Sequence, residues 1–481
     1  MKALPSEDLE VSPPHDPTGS DLSGDENIEE LLAAECEEGS DVPGRSRKET
    51  IEDLCRIVSN LFRGAAVRAL DAAEALERYA ATGIDGDFHH KSDEQHCLLF
   101  AAVRGGVPGF AVEIEFPLAP TVHVRLLAQN LIRVFNTDIL RAPRYGHDYE
   151  TWLSLEQTRV IRIMARIALV TTPFFTDCLR WIESARENTY EGAPVATRLL
   201  IVRRTRDAAV PAGERFIRLS QGVPIREALL TEKWIRPFTA QGMVALVATQ
   251  RTGKVTGVVV SFDRASNSPS GTELEGEGDP ASRRAASIES TSFGDIWVKL
   301  PNGMRFLRRR GSWQYIDFGP IEALIAPFAT PEIARALLLI AFDASVERRG
   351  ALLAIANKPK TIREIIPRAA QPADKQSIGV GDLVKRLDLL NPAHATLIRS
   401  AAAVDGAVIL SKDGKVIEAG CLVTDPPAQR LDELGLATLD TFPGARATAA
   451  RNCSFYGVAI KVSDDGQISL FVAGKMVLEF G

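Results

Sequence analysis

The sequence predicts a mixed α/β protein in which two α/β regions follow an acidic tail. Three observations carry this. Short runs rich in Val and Ile, such as TRLLIV and MVALVAT, alternate with segments of helical period. Gly- and Asp-containing turn signals separate many of those runs. The 481 residues are 45% apolar and 25% charged with a net charge of −7, which is globular composition with room for two or three domains.

Residues 1–48 are rich in Asp, Glu, Ser, Pro and Gly. They carry too few large apolar groups to form a core and are expected to be disordered. From Thr50 to Ala81 the pattern turns helical: Ile51, Leu54, Ile57, Val58, Leu61 and Phe62 share one face. The spacing continues through Ala66 to Tyr79, so a helical hairpin or one bent helix is expected. CLLFAAV and GFAVEIEF read as strands, and VHVRLLAQNLIRVF reads as a strand that becomes a helix. Leu153 to Glu187 is helical with a break near Thr171-Thr172-Pro173.

His89, His90, His96 and Cys97 lie close to Asp85 and Asp87. Their spacing matches no common zinc pattern, and ordinary loop histidines are the expectation. Residues 197–262 read as strands TRLLIVRR and RFIRLS, helix IREALLTEKWIRPF, then strands MVALVAT and VTGVVVSF. Arg251-Thr252-Gly253-Lys254 lacks the upstream Gly of a phosphate loop and joins strand to strand, so a hairpin turn is expected. The N-terminal α/β domain is therefore placed at 50–262. Residues 263–293 are low in complexity and read as a linker or insertion.

A second domain is placed at 294–481. Asp295 to Leu300 and Met304 to Arg310 read as a hairpin around Pro301-Asn302-Gly303. Arg308-Arg309-Arg310 is expected to be a solvated face. Thr330-Pro331-Glu332 is a helix start. Then come strand Ala351 to Ala356, helices Thr361 to Ala369, Val380 to Leu390 and Pro392 to Val404, and a corner at Asp405-Gly406-Ala407. Strands follow at Ala407 to Leu410, Val416 to Val423, Gly457 to Val462 and Gln467 to Val472. Gly444-Ala445-Arg446 opens a small-residue helix between the second and third. Free N–H groups there favour an anion, and Arg446 adds a forked cation. From spacing alone, two ordinary turns with a surface Arg explain these residues as well.

In its motifs this segment resembles the nucleotide-binding domain of the DisA-type diadenylate cyclases, the DAC domain. Asp405-Gly406-Ala407 is similar to the family's Asp-Gly-Ala motif. Gly444-Ala445-Arg446-Ala447-Thr448 is similar in part to Gly-Thr/Ser-Arg-His-Arg, and Ser463-Asp464-Asp465-Gly466-Gln467-Ile468-Ser469 to its Ser-Glu-Glu and Gly-x-Ile-Ser run. Arg349-Gly350-Ala351-Leu352 resembles the opening strand, so the likeness covers Glu347 to Gly481. It implies a mixed sheet with helices on both sides. The nucleotide-binding set it implies is Asp405, Gly406, Ala407, Leu422, Gly444, Ala445, Arg446 and Thr448. It also implies Mg or Mn accompanying the nucleotide, with Asp405, Asp464 and Asp465 as metal ligands, and domains paired face to face as a homodimer.

The departures favour a sensor that binds ATP or a cyclic dinucleotide and turns it over poorly. Ala447 and Thr448 stand where the family has His and Arg, and one such donor is worth about 3–4 kcal/mol in a transition state. Two alternatives stay open: an active cyclase joining two ATP into cyclic di-AMP with Asp405 as catalytic residue, and a scaffold that binds nothing. Mild acidity argues against nucleic acid as partner. No apolar run approaches the ~20 residues a membrane span needs. The first residues carry no apolar signal core, and six scattered cysteines read as reduced thiols, so a cytoplasmic protein is expected.

Overall fold

In a computed structural model, residues 47–480 are described except 84–85, 92–93, 102–107, 142–148, 186–188, 191–192, 195–196, 203–213, 233–243, 262–284, 292, 359, 367–379 and 436–437. The tail to residue 46, most of the 263–293 segment, Asp85, and the C-terminal parts of the helices expected from Ile225 and Thr361 lie outside the described residues.

The first helix, α1 (Arg47–Leu61), buries Leu54, Ile57, Val58 and Leu61 on one face. The chain then turns into a strand rather than a second helix: β1 (Ala66–Leu70) precedes α2 (Ala72–Thr82). The helical spacing through Ala66 is overridden, because AVRAL gains a full antiparallel partner in residues 111–115. Asp71 caps α2 by accepting from Glu74 N–H at 2.8 Å. Next come β2 (Phe88–His90), β3 (His96–Ala101) and β4 (Phe110–Glu115), giving an antiparallel sheet of order β1-β4-β3-β2. α3 (Val122–Arg141) is helical from its start, where a strand was expected. α4 (Tyr149–Ile167) and α5 (Thr172–Ala185) place the break where the Pro predicted it.

After a short pair, β5 (Thr189–Tyr190) and β6 (Ala193–Pro194), the chain builds an eight-stranded sheet. Its members are β7 (Thr197–Val202), β8 (Glu214–Pro224), β9 (Val244–Thr249), β10 (Lys254–Ser261), β11 (Ala285–Ser290), β12 (Ile296–Lys299), β13 (Arg305–Arg309) and β14 (Ser312–Ile316). A short helix, α6 (Ile225–Leu230), follows β8. The order is β14-β13-β12-β11-β7-β9-β10-β8, with β7 and β9 parallel and the other pairs antiparallel. Residues 250–253 turn between β9 and β10 with Gly253 at φ 63°, as the RTGK turn predicted.

This sheet corrects the expected domain boundary. Residues 285–290, read as linker, are a strand, and strands from both sides of residue 293 share the sheet. Its first four strands also divide two cores. Ile296, Val298 and Phe306 face the helices of the N-terminal half, whereas Trp297, Leu307 and Ile316 face the C-terminal half. Strand alternation does this with consecutive residues.

On that second face, next to Trp297, lies Glu289 of β11. Burial pushes its carboxyl up to about 7, with Arg198 opposing and Asp343 adding to the rise. The folded chain therefore holds a proton that the unfolded chain releases between about pH 4.5 and 7, so stability falls as pH rises through that window. Glu289→Gln is expected to flatten this fall, a difference on the order of 2 kcal/mol after discounting partial exposure. Urea unfolding of both proteins at pH 5 and pH 8 reads it out. Parallel pH profiles would refute it.

The C-terminal half begins with α7 (Phe318–Ile325), capped by Asp317, and α8 (Pro331–Val346), started by Thr330-Pro331. β15 (Ala351–Ala356) leads into a 3-10 turn at Thr361–Ile365. α9 (Val380–Val384) stops well short of the expected Leu390. There Arg386 N–H donates to Val416 and Leu389 N–H to Gly414, so sheet-like pairing with the next hairpin replaces helical bonds. α10 (Pro392–Ala402), β16 (Ala407–Ser411), β17 (Val416–Cys421), α11 (Ala428–Glu433), α12 (Ala445–Ser454), β18 (Gly457–Val462), β19 (Ile468–Val472) and β20 (Lys475–Phe480) complete the chain. β20 had not been expected as a strand.

The resulting sheet has the order β17-β16-β15-β18-β19-β20, with only β15 and β16 parallel among its pairs. Helices cover both faces, as predicted. Leu353, Ile355, Val408, Leu410, Val458 and Ile460 pack with α8 and α10, whereas Leu352, Ala354, Ala407, Ile409 and Ala459 pack with α12. Central strands buried on both faces explain why these runs are apolar at every position.

Candidate anion-binding site

The site forms at one end of the C-terminal sheet, where three turns meet. The first is the corner after α10. There Gly406 adopts φ 110°, and a Cβ on it would come within 2.5 Å of the Gly420 backbone. Only glycine lets the β16 and β17 backbones approach this closely. Asp405 is thereby held at the surface, and Ala407 enters the sheet opposite Cys421.

The second turn starts α12. Gly444 at φ 92° is its N-cap, with open space around its Cα. Ala445, Arg446 and Ala447 supply first-turn N–H groups that have no intrahelical acceptor. Thr448 does not offer its hydroxyl outward; Oγ1 donates to the Gly444 carbonyl at 3.3 Å. Ala447 is buried in the core beneath the helix, and Leu422 is 43% exposed on the loop after β17.

The third turn joins β18 to β19 through Ser463-Asp464-Asp465-Gly466. Arg446 links all three turns: it donates to Asp405 at 3.1 Å and to Asp464 at 2.9 Å. Its guanidinium lies across Gly350, where a Cβ would fall 2.0 Å from Nη1. Gly350 had been read only as the opening of a strand; its absent side chain makes the floor of the site. The Arg446 side chain is 32% exposed, so it is placed yet reachable.

Asp465 points elsewhere. Burial would raise its pKa, but the Ser463 hydroxyl, the Gln467 N–H and Arg310 outweigh it and hold the carboxyl below its usual value. Arg310 donates to it at 3.2 Å. The three carboxylates expected to share a metal are thus divided, two on Arg446 and one on Arg310. Among the described residues no group of three His, Cys, Asp or Glu is placed to hold a metal ion. These residues do not fit the implied Mg or Mn, since a guanidinium already lies between the two carboxylates that meet.

The histidines near the N-terminal sheet do not converge either. His96 faces Glu113 at 3.5 Å, and His90 bonds the Glu94 carbonyl at 3.1 Å. Cys97 is buried, which pushes its thiol up to about 12. All five described cysteines are free, as predicted, and burial raises Cys421 to about 12, so neither is poised as a nucleophile. No helix among the described residues is long and apolar enough to cross a membrane.

No protein-family model matches this chain, and no curated protein matches it. Among solved structures, a hypothetical membrane spanning protein from Bacillus cereus is similar at 18% identity and a TM-score of 0.24, over 34% of this chain and 69% of that one. A double mutant of DacA from Staphylococcus aureus is similar at 18% identity and a TM-score of 0.18, over 31% of this chain and 87% of that one. At these TM-scores neither likeness carries an argument about fold or function.

Proposed function

We propose that the C-terminal half is a nucleotide-sensing module that binds a phosphate-bearing ligand, ATP or a cyclic dinucleotide, at Arg446 and the start of α12. The observation that carries the reading is Arg446 itself, a reachable guanidinium fixed over Gly350 at a helix N-terminus. A phosphate would meet the forked cation and the free N–H groups together. The acidic partners set a cost: Asp405 and Asp464 must yield Arg446 or tolerate the anion beside them.

The same geometry favours binding over turnover. Where the resembled family has His and Arg, Ala447 is buried in the core and Thr448 bonds its own helix. Neither can reach a developing phosphoryl charge. A cytoplasmic setting belongs to this reading and is supported by the free thiols.

Calorimetric titration of ATP, and separately of cyclic di-AMP, into the full chain tests it. Arg446→Ala is expected to weaken binding at least tenfold, the worth of about 1.4 kcal/mol from one charged contact. Incubation with ATP and Mn²⁺ should yield no cyclic di-AMP by chromatography. Product that disappears in Asp405→Asn would install the cyclase instead. Absence of heat with both ligands would defeat the sensor and leave the scaffold.

A further inference from the structure

We propose that Arg309, in the eight-stranded sheet and outside the segment that carries the nucleotide motifs, is a positioning residue for the Arg446 site. The inference rests on the reading above for its ligand but not for its geometry.

Arg309 ends β13 and is 4% exposed, although a run of three arginines reads as a solvated face. Its Nε donates to Asp295 at 2.9 Å, and Asp295 is itself 2% exposed and also held by Arg348 at 3.0 Å. Nη2 grips the same carboxylate at 2.8 Å, and the outer end of the guanidinium reaches beyond the sheet. Nη1 donates to the Gly466 carbonyl at 2.8 Å, and both Nη atoms reach the Ser345 hydroxyl at 3.3 Å. The Ser345 hydroxyl in turn donates to the Gly466 carbonyl.

These two targets frame the site. Ser345 lies at the end of α8, from which the chain runs directly to Gly350, the floor under Arg446. Gly466 closes the turn that holds Asp464 against Arg446. Gly466 sits at φ 89°, and a Cβ there would come within 2.6 Å of Arg309 Nη1 and 2.8 Å of the Ser345 carbonyl oxygen. The turn is therefore shaped to take the guanidinium. Arg310, held at the left-handed φ of 51°, adds an outer tie to Asp465. A buried cation of one sheet thus sets the distance between the floor of the site and one wall of it.

The test is hydrogen exchange read by mass spectrometry on the full chain, comparing wild type with Arg309→Met and Ser345→Ala. Ser345→Ala removes one arm of the network with little loss of bulk, and it decides the matter if Arg309→Met does not fold. Exchange is expected to quicken about tenfold both at 463–467 and across Arg446 at 444–450, with residues 66–70 unchanged. A change confined to 463–467, or no change, overturns the proposal. So does equal quickening at 66–70, which would mean general loosening. ATP titration of the same variants is expected to show about tenfold weaker binding. Should wild type bind no ATP, the nucleotide reading falls, while exchange at 444–450 still decides the positioning role.

Discussion

Arg309→Met is expected to lower the unfolding free energy by about 3–5 kcal/mol, the usual cost of removing one partner from a buried ion pair. The change leaves Asp295, 2% exposed, with Arg348 as its remaining cation. It also leaves the Gly466 carbonyl with the Ser345 hydroxyl alone from this network. The neighbouring Arg310→Ala supplies the contrast. Its ion pair with Asp465 joins side chains 70% and 44% exposed, and such pairs are worth about 0–1 kcal/mol. Urea midpoints for both variants separate the two cases. Equal midpoints would show that water enters and replaces the guanidinium, and the buried network would lose its structural importance. Pairing Arg309→Met with Asp295→Leu should recover part of the loss, because it removes the buried carboxylate and leaves Arg348, 21% exposed, to water.

Gly406→Ala should cost about 3 kcal/mol, for two reasons that add. A non-glycine residue at φ 110° is strained by about 1–3 kcal/mol. Its Cβ would also press to 2.5 Å from the Gly420 carbonyl carbon and 2.8 Å from the Cys421 nitrogen. Those atoms are sheet backbone and cannot rotate aside, so β17 must shift and Asp405 with it. Gly444→Ala is the matched control: its φ is 92°, but nothing lies within 4 Å of the added Cβ. It should lose only the conformational part, again about 1–3 kcal/mol, so Gly406→Ala should melt lower by the steric part. Thermal melts of the pair test the ranking, and a Gly406→Ala protein that melts with Gly444→Ala would falsify the steric account.

The C-terminal strands were legible because strands buried on both faces read as unbroken apolar runs between turn signals. Ala351 to Ala356 and Gly457 to Val462 are examples. The same rule hid β20, whose KMVLEF is only partly buried at a sheet edge, with Lys475 and Met476 exposed. β1 was missed because AVRAL carries both periods, and only its partner β4 decides between them. Of the candidate site, the resemblance grouped Asp405 with Arg446 and, as metal ligands, with Asp464, but gave no sign that Arg446 would bond both carboxylates. Asp465 did not join them because Arg310 draws it away. Gly350 as a floor and Arg309 as a brace had no local signal. Arg309 and Gly466 are 157 residues apart, and a run of three arginines is ordinarily solvated.

The eight-stranded sheet carries a consequence for the order of assembly. Its central pair joins β7 to β11, and Thr197 N–H meets the Ser290 hydroxyl across 93 residues. Closing so long a loop is slow compared with zipping β18, β19 and β20, which are sequential hairpins. Hairpins local in sequence, β18 to β20 and likewise β11 to β14, are thus expected early, and the β7–β11 closure of the larger sheet late. Arg309 reaches Gly466, 157 residues on, only once the β11 to β14 hairpins dock on the C-terminal ones. The brace is accordingly a final docking event, completed when the two halves lock together.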